Sequence, residues 1–423
     1  TGGPGELQVI AGRDINLGDQ LGISSIGNTA NTALPDSGAD IFVMAGFDGS
    51  ASYDAFINLY FTADSSYRGE IISFMNQRGF SFAADQFDAA LAAFNALGVT
   101  QQRSLVMQGF FNEITLSASR AAAEQNNKLD DSDTERYGYS RGLDAIATLF
   151  PGSVLERREA DEGEITSGNV IVTGGYAYTL DEHPAMQGDV SLTSSRIRTT
   201  DDNSDLSVLV PGGKFNVGLA SATAEDDGVM TFGKGDINIF ALDNVAVNQS
   251  RIQALNGGDM SIWSSLGDID AGRGSKSVLS LPEPVLILDE QQNRIYQEYP
   301  AVVQGSGIRS ACFDADCSAG NIILAAPAGV IDAGDAGINS AGNLTLATDT
   351  VLNAGNIEAG GESVGFSTET SAMGLDLGNL SSAGTDATST VSGEEAADAF
   401  NNAAVAILQV EVMGLEDDDK PAP

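Results

Sequence analysis

The chain has 423 residues and sets 59 Asp plus Glu against 20 Lys plus Arg, a formal charge of −39. Such a polyanion repels phosphate backbones and anionic lipid surfaces, and no run of Lys and Arg reverses the sign locally, which excludes nucleic acid as a partner. A hydrophobic share of 42% argues against wholesale disorder. No uninterrupted apolar stretch of about 18 residues and no signal-like block is present. The opening Thr-Gly-Gly-Pro-Gly, without an initiator Met, fits a piece of something longer.

In chain order, residues 1–50 are Gly-rich with short apolar alternations, ELQVI at 6–10, RDINLG at 13–18 and DIFVMAG at 40–46, which predict strands of the first solenoid coils. Residues 51–160 lose that punctuation and predict a helix-rich insertion. Phe87, Leu91, Phe94 and Leu97 fall at helical spacing before Gly98, a second helix spans about Thr100 to Asn126, and a third runs from Ser140 to Leu149 before Pro151.

Over 161–272, and again over 313–362, the short strands return, with a repeated opening of Gly, then Asn or Asp, then an apolar residue. It occurs at Gly168, Gly188, Gly235, Gly258, Gly320 and Gly342, and three neighbouring pairs lie 20, 23 and 22 residues apart. That period is the mark of an all-β solenoid whose coils stack at roughly 4.8 Å, about nine of them making a rod on the order of 40 Å. Gly and Asn suit the positive backbone angles of sharp corners. Residues 273–312 interrupt the echo and predict an extruded hairpin or loop, coils resume over 313–362, and 363–423 form a Ser-, Thr- and Ala-rich segment with a possible cap and acidic tail.

Carboxylates recur at the corners. Asp268 and Asp270 beside Arg273, or Asp332 and Asp335, have the pairing that glycan cleavage requires, yet their repeated place in successive coils favours turn formers. His183, before Pro184, reads as a solvated loop residue. Candidate calcium ligands are Asp130, Asp131 and Asp133 in DDSD, Asp201 and Asp202, and the DADC run at 314–317, against the alternative of a solvated acidic face. No other cofactor is indicated. Candidate carbohydrate contacts are Arg273, Trp263, Tyr296 and Tyr299. For Trp263 packing is the competing role, and for Arg273, which with Lys276 forms a small basic island, pinning of the following insertion. Cys312 and Cys317 are close enough for a local disulfide in an oxidising compartment and otherwise remain thiols.

GGDMSIWSSLGDIDAGRGSKS (257–277), GSGIR (305–309), GNIILAAPAGVIDAGDAGINSAGNLTLA (320–347) and VLNAGNIEAGG (351–361) resemble the C-terminal region of large filamentous haemagglutinin-like exoproteins. The resemblance implies a right-handed parallel β-helix, exported across the outer membrane of a Gram-negative bacterium by a partner secretion pore and displayed at the cell surface. It implies an adhesin or fibre segment that meets a glycan or protein on a host, bacterial or matrix surface. Exposed strand edges at the rod ends need a cap, and without one the rods would associate end to end into fibres. Secretion in turn favours the Cys312–Cys317 disulfide. The rival reading is a polysaccharide-binding or polysaccharide-processing β-helix.

Overall fold

The structure, a computed structural model, describes residues 2–19, 21–27, 37–47, 49, 51–125, 138–219, 227–275, 279–280, 285–289, 294–298, 303–313 and 317–365. Three parallel sheets run along the chain's stack of coils. Sheet A has eight strands: Gly5–Ile10, Ala39–Met44, Leu206–Val210, Ile237–Ala241, Met260–Ser264, Ile322–Ala325, Leu344–Ala347 and Ser363–Val364. Sheets B and C have seven each, and the chain visits A, B and C in turn, so each coil adds one strand to every sheet. Parallel register holds between neighbouring coils, as in Ile237↔Met260 and Ile239↔Ile262.

Why these residues stack is visible in their alternation. Ile41, Val208, Ile239, Ile262 and Leu324 project inward from sheet A and meet Val190, Val245 and Ile269 of sheet B and Ile197, Ile252 and Ile308 of sheet C in one apolar column. Each coil's inner face is buried only by its neighbours, which is what makes the period obligatory. The opening glycine of the repeat serves a different purpose from the expected positive φ. Gly235, Gly258 and Gly320 have ordinary backbone angles, but a Cβ on each would strike the carbonyl oxygen of Ser204, Gly235 and Gly258 respectively in the coil below. Close approach of stacked backbones, not handedness of the turn, requires glycine there.

Seven complete coils are present among the described residues, against the expected nine or so. One Gly-Asn opening lies outside the stack: Val170–Thr173 pairs antiparallel with Tyr176–Leu180, which also pairs antiparallel with Val154–Glu159. Residues 161–189, expected among the coils, therefore contribute this small sheet to the insertion, which leaves the solenoid after Met44 and rejoins it at Val190. Gly188-Asp189-Val190 enters sheet B, whereas Gly235, Gly258, Gly320 and Gly342 precede strands of sheet A. The 273–312 interruption contains the antiparallel pairs Val285–Asp289 with Arg294–Glu298 and Leu279–Ser280 with Val303–Gln304. It leaves one coil between sheets B and C.

The insertion carries helices α1 (Tyr53–Tyr60), α2 (Arg68–Gln77), α3 (Phe87–Asn95), α4 (Val99–Gln125) and α5 (Ser140–Leu149). None of the described helices is long and apolar enough to cross a membrane. The helices cover the outer face of sheet A. Phe110 of α4 and Phe150 beyond α5 both pack on Phe240, with ring centroids 5.2 and 5.6 Å apart, and Tyr139 meets Trp263 edge-on at 5.8 Å. Full burial of a side chain of this size stabilises by roughly 1.5–3 kcal/mol. Sheet A is thus apolar on its inner face and along the outer column beneath the helices, which is why INIFA and MSIW read as nearly continuous hydrophobic runs.

Candidate functional site

Alternation gives the outer face of sheet A two columns. Met44, Leu209, Phe240, Trp263, Ala325 and Ala347 form the apolar one beneath the helices. Phe42, Ser207, Asn238, Ser261 and Ile323 form the other, in register across five coils. Beside this second column a cleft of about 390 Å³ opens between sheet A and helices α2 and α4. Its floor carries Ser207, Asn238 and Ser261, its helical wall Gln77, Ser104, Gln108 and Asn112, and its far rim a row of carboxylates.

That row is the repeat's acidic position seen in three dimensions. Asp40 Oδ1 accepts the backbone N–H of Asp205 at 3.0 Å, Asp205 Oδ1 that of Asp236 at 2.9 Å, Asp236 Oδ1 that of Asp259 at 2.8 Å, and Asp259 Oδ1 that of Asn321 at 2.8 Å. Asn321 and Asn343 continue the ladder with amide oxygens, to the N–H groups of Asn343 and Glu362. In each coil the side chain satisfies a corner N–H that the sheet leaves unpaired, so Asp and Asn are interchangeable for the bond but not for the charge. Glu6 pairs in register with Asp40 and forms an ion pair with Arg78 at 3.2 Å. Arg78 is the one cation among the cleft's lining residues, and its guanidinium lies 3.5 Å from the centroid of Phe74.

Stacked like charges raise one another's proton affinity. Burial, helped by neighbouring Asp40 and Asp201, pushes the Asp205 carboxyl up to about 6 against the bond from Asp236. Burial and the charges of Asp205 and Asp259 push Asp236 up to about 6 as well. Asp40 is raised from the same first cause, burial. A carboxyl with a raised folded pKa contributes stability that is fully present below about pH 4 and lost as pH rises through about 6. The wild-type protein is therefore expected to be less stable at pH 7.5 than at pH 5, by an amount on the order of 2 kcal/mol from this pair. An Asp205→Asn/Asp236→Asn variant should flatten that dependence, as read from urea midpoints at the two pH values. Equal pH dependence in both proteins would refute the effect.

The residues singled out from the sequence are not gathered in this cleft. Trp263 is 1% exposed beneath the helices, and its Nε1 donates to Ser265 Oγ at 3.0 Å. It therefore has no face for a sugar, because an offset of three from Met260 puts it on the opposite side of the strand. Arg273 is exposed at a corner beyond the sheet B strand Ile269–Asp270. Tyr296 lies in the strand Arg294–Glu298, paired with Ile287, while Tyr299 is outside the described residues. Cys312 and Cys317 form a disulfide with Cα atoms 5.8 Å apart.

Three of the proposed acid–base residues serve the corners. Asp268 Oδ1 accepts the Val330 N–H at 2.8 Å, Asp270 Oδ1 that of Gly272 at 2.8 Å, and Asp332 Oδ1 that of Gly334 at 2.8 Å. Asp335 and His183 are exposed. Asp201 is 4% exposed and accepts the Ser204 hydroxyl at 2.7 Å, with Asp202 exposed beside it. Asp130, Asp131 and Asp133 lie outside the described residues, as do positions 314–316. Among the described residues no group of three or more His, Cys, Asp or Glu is placed to hold a metal ion.

The cleft residues went unmarked in the sequence because they are spread along the chain from Glu6 to Ile323. The available signal was the Gly-Asp-apolar opening itself: an Asp at a fixed coil position must stack. No curated protein and no solved structure matches the chain. Residues 257–368, about a quarter of the chain and the part that builds the later coils, match a family described as filamentous haemagglutinin family outer membrane protein, to which this stretch of the solenoid is similar.

Proposed function

We propose that this chain is an extracellular segment of a bacterial surface adhesin or fibre, wound as a right-handed β-helix and acting through contact. The observation that carries the reading is the match of residues 257–368 to the filamentous haemagglutinin family over coils that continue one unbroken stack with the rest of the solenoid. A solenoid suits reach, since each coil adds length at nearly constant energy. The corner carboxylates that glycan cleavage would recruit are bonded to backbone amides, which supports contact over chemistry. In this reading the parent polypeptide leaves a Gram-negative cell through a partner outer-membrane pore, and the helical insertion and extruded hairpin supply local specificity.

The test is surface attachment by the source bacterium carrying an in-frame deletion of these 423 residues, with export of the shortened protein verified by immunoblot. Attachment is expected to fall at least tenfold despite normal export. Unchanged attachment would sink the reading. The rival, binding of a polysaccharide, is favoured by one observation, the polar cleft beside sheet A.

A further inference from the structure

The cleft between sheet A and helices α2 and α4 has the dimensions of a small-ligand site, since its volume of about 390 Å³ falls in the usual range of roughly 300–1,000 Å³. Three sets of groups define what it would hold. First, Asp40, Asp205, Asp236 and Asp259 each spend one carboxylate oxygen on the ladder, and the other makes no hydrogen bond with a described residue. These oxygens repeat along the cleft at the coil spacing of roughly 4.8 Å.

Second, the interior holds hydroxyls without partners. Ser207 is 4% exposed, lines the cleft from the outer face of sheet A and makes no side-chain hydrogen bond with a described residue. Ser104 Oγ on α4 is fully buried at the opposite wall and also lacks a partner. A buried polar group left unpaired costs about 1–3 kcal/mol, and of the two the Ser207 hydroxyl, whose oxygen is not sealed off, is a place for a ligand atom. Third, Asn238, Gln108 and Asn112 carry side-chain amides with no bond to a described residue, each offering donors and an acceptor together.

We infer that this cleft binds an amine-bearing oligosaccharide, a short stretch of a de-N-acetylated amino-sugar polymer. The inference rests on the surface-contact reading for its setting and names the ligand class at one site. Cationic amines would meet the second oxygens of the Asp ladder, while ring hydroxyls would bond Ser207 and the amides of Asn238, Gln108 and Asn112. Anionic glycans are repelled by five lining carboxylates against the single guanidinium of Arg78. A neutral glycan would leave those charges unanswered, and a simple polyamine would leave the hydroxyls and amides unanswered. Arg78 shows the same chemistry within the protein, a cation held between the Glu6 carboxylate and the Phe74 ring.

The experiment is calorimetric titration of the whole chain at pH 7.5 and low salt with a glucosamine tetramer, its fully N-acetylated counterpart and spermine. The glucosamine tetramer is expected to bind at least tenfold more tightly than either. An Asp205→Asn/Asp236→Asn variant should weaken it at least tenfold, and its fold is safeguarded because Asn321 and Asn343 already fill the same ladder position. Ser207→Val, a second variant, should weaken the sugar while leaving weak spermine binding unchanged. No binding of the glucosamine tetramer, equal binding of spermine, or full affinity in the double Asn variant would each overturn the assignment. These readouts use isolated protein, so a failure here leaves the attachment result standing, and a failed attachment test leaves the binding result standing.

Discussion

Trp263→Ala is expected to destabilise the protein by about 3–5 kcal/mol, the cost of emptying a large aromatic site in a packed core. The indole stands at the junction of the two layers. It meets Tyr139 edge-on, donates to Ser265 Oγ, and lies so close to Gly142 of α5 that a Cβ there would crowd it. Truncation would open a cavity between sheet A and the helices and leave Ser265 without its donor. A urea unfolding curve reads the loss, and Trp263→Phe should recover more than half of it by restoring most of the volume. A change below about 1 kcal/mol, the outcome expected of a surface platform, would contradict the packing described.

Glu113→Ala is expected to cost about 2 kcal/mol by removing the buried acceptor of charge-assisted hydrogen bonds from a partly exposed guanidinium. Glu113 is 1% exposed on α4 and accepts from Arg141 of α5 through both oxygens, with Arg141 Nη2 at 2.7 Å from Oε1. The Tyr67 hydroxyl, at the start of α2, donates to the same Oε1 at 2.6 Å. Burial and this carboxylate push the Tyr67 hydroxyl well above its usual range, so it remains a donor at any working pH. Three helices are thereby tied at one carboxylate, and its loss would leave the guanidinium without its acceptor and the phenol with only the longer bond to the Gly109 carbonyl at 3.2 Å. Glu113→Gln keeps an acceptor and should cost less than half as much in the same unfolding measurement. Equal losses for Ala and Gln would show that charge, not the hydrogen-bonded junction, carries the energy.

Both variants probe the layer interface, which was the least legible part of the chain. The helix Ser140–Leu149 and the strands at 6–10 and 40–46 could be placed from periodicity and punctuation, because local propensity and burial agree there. The repeated Gly-Asp or Gly-Asn opening located four sheet A strands for the same reason. It misplaced residues 168–170, since a turn before an antiparallel strand uses the same residue types as a coil corner. Trp263 was read without its face because the helices covering it are more than 100 residues away in sequence. Likewise no run of basic residues exists, yet stacking brings Arg198 and Arg309 onto one outer column of sheet C and Arg196 and Arg251 onto its neighbour.

What the sequence determined by itself was the repeat: an apolar alternation that one coil cannot bury alone, opened by a glycine and by a side chain able to accept a hydrogen bond. Those requirements are local to a coil and recur in every copy, so they are written in order along the chain. Only the tertiary structure decided that the insertion folds back over sheet A, that Asp40, Asp205, Asp236 and Asp259 face one cleft, and that Ser207 lies inside it without a partner among the described residues. The reason is geometric. Parallel stacking converts a separation of tens or hundreds of residues into a spacing of roughly 4.8 Å, and that proximity, absent from any stretch of sequence, builds the cleft, while burial first and the neighbouring charges second raise the carboxyl pKa values.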